Sequence, residues 1–154
     1  MSRPSPLALA VLPVAAFHTT MRVMVAHCDV AGIVFTPRFV EMAHAAIELF
    51  VPAALGIDYY TTMRERRIGP GYGHIAFDFF TPAFLGDALR FTVLVERIGH
   101  GSVTLHVHVH RGADPVLRAV MVIVTTDLDR HRAVPVPVPD WLREPLLTYQ
   151  QACA

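Results

Sequence analysis

Apolar residues recur at three- and four-residue spacing through Phe39, Ala43, Ala46, Ile47 and Phe50, which predicts an amphipathic helix. Thr36 suits its N-cap, Pro37 its first turn, and Pro52 is expected to close it, giving a helix over Pro37 to Val51. Before it, Phe17 to Val25 reads as a strand running into the loop His27-Cys28-Asp29-Val30-Ala31-Gly32. After Gly56 a short helix is expected from Asp58 to about Arg66, ended by Gly69-Pro70-Gly71. The pattern then changes to runs rich in Val, Phe, Thr and Leu between turn signals. Four strands are predicted: Tyr72 to Phe80, Ala88 to Ile98, Ser102 to Arg111 and Val116 to Asp127. Alternating proline over Val134 to Pro139 fits an extended edge or exit, with a short final helix around Trp141 to Leu147. A strand, a long helix and an antiparallel meander make an α+β domain over residues 17–145, with an N-terminal arm over 1–16 and a tail over 146–154.

Composition adds a constraint on assembly. Of 154 residues, 53% are hydrophobic and 17% charged, and mean hydropathy is +0.43. One core of this size does not absorb that surplus, so a second copy is expected. The apolar run Leu7 to Phe17 is interrupted by Pro13 and too short to span a bilayer, so no membrane segment is expected. Formal net charge is zero and every cation is Arg, which argues against a nucleic-acid surface. Cys28 and Cys153 cannot build a disulfide framework or a zinc site, which fits a reduced, cytoplasmic protein.

The chemistry concentrates before the long helix. Asp29 sits one short loop ahead of a helix N-terminus, whose unpaired N–H groups and positive dipole end can stabilise an oxyanion. Thr36 offers the best-placed N–H, Pro37 has none, and Gly32 lets the loop bend toward a ligand. The same position also suits a carboxylate that caps a turn. His106, His108 and His110 alternate on one strand and share a face, but their spacing is too wide for one ion without ligands from elsewhere; an exposed or interface face is expected there.

Asp29 to Pro37 resembles the signature of the 4-hydroxybenzoyl-CoA thioesterase group of hotdog-fold thioesterases, in which Cys-Asp-x-Ala-Gly-Ile-Val precedes an aromatic residue and the central helix. Phe80 to Asp87, Val95 to Gly99 with Ser102, and Asp127 to Pro139 are similar to later stretches of that family in the same order. The resemblance implies an antiparallel sheet wrapped around one helix, a homodimer or homotetramer with active sites between subunits, and hydrolysis of a CoA or carrier-protein thioester without metal or organic cofactor. It implies Asp29 as nucleophile or base, with the N–H of Thr36, and secondarily of Phe35, as oxyanion donors. It favours an aromatic acyl group, with a short or medium aliphatic one next.

Two departures stand out. Thr36 replaces the Tyr or His that family members carry, and the turn Gly99-His100-Gly101 offers only His100, with Arg97 nearby, toward CoA phosphates. Arg64, Arg66 and Arg67 are an alternative phosphate patch, and His74 and Asp78 are candidates for the acyl pocket. Two other readings stay open: a hydratase or dehydratase using His44 and Glu48 at i, i+4 on the central helix, and a module that binds acyl thioesters without turnover.

Overall fold

The computed structural model describes residues 4–129 and 133–154. Strand β1 is His18–Arg22, and helix α1 is Thr36–Leu55. A single turn α2, Tyr59–Thr61, continues into a π-type turn over Thr62–Arg66. The strands β2 (Ile68–Phe79), β3 (Ala88–Ile98), β4 (Ser102–Arg111), β5 (Asp114–Asp127) and β6 (Val134–Pro135) follow, and helix α3 is Asp140–Ala152. The sheet runs β1-β3-β4-β5-β2, antiparallel throughout, with β6 also on β5. It wraps α1, so the expected hotdog architecture is what the chain forms.

The inner face explains the order. Leu89, Phe91 and Val93 of β3 and Val103, Leu105, Val107 and Val109 of β4 alternate onto α1, where Phe39, Ala43, Ala46, Ile47 and Phe50 are almost fully buried. No single helix among the described residues is long and apolar enough to cross a membrane.

Element ends differ from the sequence reading where a local signal was outweighed. Phe35, not Thr36, is the N-cap of α1, without a side-chain cap; Thr36 is already helical. Pro52 does not close α1. The helix continues to Leu55, which buries its side chain, and ends where Gly56 adopts φ 66°. The Gly56 N–H donates to the Pro52 carbonyl and the Ile57 N–H to that of Val51, a double closure that a left-handed residue permits. Gly69-Pro70-Gly71 lies inside β2, which begins at Ile68 because proline is tolerated on an edge strand. Helix α3 extends through 152, the stretch read as a tail, since Leu146 and Tyr149 bury against the core.

The outer face of β4 also departs from expectation. His108 and His110 are 3% and 1% exposed, and the arm reaches His110, whose Nε2 lies 2.9 Å from the Leu7 carbonyl. Burial, with His106, His110 and Arg118 as neighbours, pushes the His108 imidazole down to about 4. Its pKa is depressed on folding, so its neutral form favours the native state fully above about 6.5, and that stability is lost as pH falls from there toward 4. Stability measured by thermal melting is therefore expected to drop by about 3 kcal/mol over that window. A His108→Gln variant should flatten the drop; an unchanged profile in the variant would remove His108 as its cause.

Candidate active site

Residues 28–35 form a tight reversal clamped at its base by the Cys28–Val34 bridge. The Asp29 N–H donates to the Ile33 carbonyl (3.0 Å), and the Gly32 N–H returns to the Asp29 carbonyl (3.1 Å). Gly32 has φ 74°, which a residue with a Cβ adopts only at a cost, and its carbonyl accepts from Leu85 N–H at 3.0 Å. The turn thus holds Asp29 with its carboxylate in solvent, Oδ1 accepting from the Ala31 N–H at 2.8 Å.

At the start of α1 the two expected donors separate. The Phe35 N–H is already donated to the His27 carbonyl at 2.9 Å, which corrects its assignment as an oxyanion donor. The Thr36 N–H, in the first helical position, has no acceptor among the described residues, and Thr36 lines a recess with Ile33, Phe80 and Pro82. The rim of this region is apolar and uncovered: Val30, Phe35, Phe84 and Leu85 are 109%, 53%, 45% and 52% exposed.

Other candidates do not gather here. His74 and Asp78 share a face, but it is the one opposite the helix: they flank Ile75 and Phe77, which pair with the core residues Met121 and Ala119. Asp78 is held by Arg118 at 3.3 Å. Neither lines a cavity with Asp29. The three arginines turn to different partners: Arg66 lies over the Trp141 ring at 4.5 Å, Arg67 binds Asp129 at 2.8 Å, and Arg64 stands near Asp58. Hydrogen bonds from Thr61 hold the Asp58 carboxyl below its usual range, with Arg64 a smaller contributor. The His100 carbonyl accepts from Val138 N–H at 2.7 Å, which fastens that turn to the exit segment. Cys28 and His27 both bond to Met24 and not to each other. No group of three or more His, Cys, Asp or Glu able to hold a metal occurs among the described residues.

The His44 and Glu48 pair does come together, joined by Tyr72, and a cavity lies next to it. His44 Nδ1 meets the Tyr72 hydroxyl at 2.5 Å and Nε2 meets Glu48 at 3.1 Å, so one imidazole bridges helix and edge strand. Beside it a cavity of about 90 Å³ opens to solvent between the C-terminal half of α1, the α2 segment, the sheet and α3. Ile47, Phe50, Met63, Tyr72, Ile123 and Trp141 mark its extent. The Thr125 hydroxyl on its wall is donated to the Val136 carbonyl at 2.6 Å. Burial raises the hydroxyls of Tyr59, to about 12, and of Tyr72. Sequence reading missed Tyr59, Tyr72 and Trp141 because the wall is assembled from six separate elements.

The family model described as Thioesterase-like superfamily matches residues 23–146. Among solved structures, a thioesterase superfamily protein from Jannaschia sp. superposes with TM-score 0.80 at 23% identity, covering 89% of this chain and 94% of that one. A 1,4-dihydroxy-2-naphthoyl-CoA thioesterase from Synechocystis gives 0.76 at 21% identity, over 86% and 96%. A 4-hydroxybenzoyl-CoA thioesterase variant complexed with 4-hydroxybenzoyl-CoA gives 0.75 at 22% identity, over 92% and 100%. No curated protein sequence matches the chain.

Proposed function

Because the chain belongs to the thioesterase-like superfamily and is by that membership a thioester hydrolase, we propose that it cleaves an acyl-CoA or carrier-protein thioester with Asp29 as its reactive carboxylate. The observation that carries this is the exposed Asp29 carboxylate on a rigid turn, one loop ahead of the unbonded Thr36 N–H. Attack on the thioester carbonyl places negative charge on its oxygen, and an N–H fixed at a helix start stabilises that charge more than it stabilises the ground-state carbonyl. If Asp29 attacks directly, the thiolate leaves, a mixed anhydride forms and water hydrolyses it; as base, Asp29 takes the proton of the attacking water. Neither route requires a metal or organic cofactor.

A homodimer or homotetramer fits the same arrangement. β2 is an edge strand exposed from Tyr72 to Ile75, and the apolar rim of Val30, Phe35, Phe84 and Leu85 is open. His44 lies eight residues into α1, about 12 Å along the axis from Thr36. In the proposed assembly, Asp29 from one copy acts on a thioester beside Tyr72 of another. The resemblance alone favours an aromatic acyl group; the apolar cavity weighs the other way.

The test is thiol release from a panel of acyl-CoAs by the purified protein, with a mass measurement in solution. Turnover of at least one thioester by an oligomer is expected. A monomer would remove the shared site, and no thiol from any substrate would remove the hydrolase.

One observation favours a second reading. His44, bonded to both Tyr72 and Glu48, is suited to moving a proton at a thioester α-carbon, as hydration or dehydration of an enoyl thioester requires. Loss of enoyl absorbance without thiol release would identify that reaction.

A further inference from the structure

The cavity beside α1 has a consistent chemical character. Its side chains come from α1 (Ile47, Phe50, Leu55), the edge strand (Ile68), the sheet (Ile123) and α3 (Leu142). Two of its polar groups are already engaged: the Tyr72 hydroxyl meets His44, and the Thr125 hydroxyl is donated to backbone. A hydroxyl carried into this almost wholly apolar space gives up its water for few partners, which disfavours its bearer. A methylene chain loses nothing polar and gains apolar contact along the whole wall.

Shape points the same way. The wall follows α1 from Ile47 to Leu55, eight residues and so about 12 Å, roughly the length of an extended ten-carbon chain. The polar contact at one end fixes its direction. Tyr72 belongs both to the wall and to the His44–Glu48 contact, so the groups able to meet a thioester lie at that end. Resting on the thioester-hydrolase reading, we propose that the acyl group of the substrate is an unsubstituted, medium-length hydrocarbon chain lying in this cavity. Its thioester end is at Tyr72 and its methyl end is toward Trp141. Hydroxylated aromatic acyl groups are excluded by the lining rather than by size.

The experiment compares kcat/KM for butyryl- to palmitoyl-CoA with that for 4-hydroxybenzoyl-CoA, alongside binding of cis-parinaric acid and its displacement by decanoate. A maximum between octanoyl and dodecanoyl, at least ~10-fold above 4-hydroxybenzoyl, is expected. Met63→Trp, which narrows the cavity from its partly exposed turn, should lower the decanoyl-to-butyryl ratio by a further ~10-fold. Equal or better turnover of 4-hydroxybenzoyl-CoA would overturn the chain assignment while leaving the hydrolase intact. No thiol release from any thioester, with cis-parinaric acid bound and displaced, would overturn the hydrolase and support the cavity as a hydrocarbon site. Absence of both turnover and fatty-acid binding would overturn both.

Discussion

Asp29→Asn is expected to lower kcat for thiol release by roughly 10²- to 10⁴-fold while leaving the melting temperature nearly unchanged. The separation follows from geometry. Asn keeps an oxygen for the Ala31 N–H, and the carboxylate is exposed, so the turn survives the change. What disappears is the negative charge that attacks the carbonyl or accepts the proton of water. The oxyanion donor proposed at Thr36 is backbone and is untouched, so residual activity above the uncatalysed rate is expected. Full activity in the variant would move the chemistry elsewhere, with the His44 and Glu48 pair next in line.

Phe50→Ala is expected to be the most damaging single truncation for the fold, costing about 3–5 kcal/mol and lowering the melting temperature by roughly 10 °C. The ring is 1% exposed and lies between Phe17 at 5.8 Å and Tyr149 at 4.9 Å, so its removal leaves β1, α1 and α3 around a void. Tyr149→Phe separates the ring contribution from the hydroxyl. It keeps the aromatic contact but loses the bonds from Phe17 N–H and to the Val93 carbonyl, for an expected cost of about 1–3 kcal/mol. A Phe50→Ala protein melting within a degree or two of wild type would mean that this junction does not hold the layers together.

Much of this was readable before folding, where the information is local. The period of α1, the turn signals of the meander and the approach of Asp29 to a helix start are all written within a few residues. Readings failed where distant backbone decides. Phe35 N–H is consumed by the His27 carbonyl, eight residues back, which no spacing announces. Pro52 stops a helix only if nothing downstream rewards continuing, and Leu55 does. His74 and Asp78, four residues apart on one strand, necessarily share a face, but which face meets α1 is set by pairing with β5 and the irregularity at Gly73. The full length of α3 is legible in the sequence, since Leu142, Leu146, Tyr149 and Cys153 keep helical spacing well past Leu147. The apolar cavity had no such signal, since its wall exists only once six elements have met.

The Tyr149 hydroxyl, joining Phe17 to Val93, has a consequence for synthesis. During translation Phe50 leaves the ribosome 99 residues before Tyr149, the side chain that closes over it. At 5–20 residues per second the exposed ring waits on the order of five to twenty seconds. The nascent chain therefore carries an open apolar face until residues 140–152 emerge to cover it.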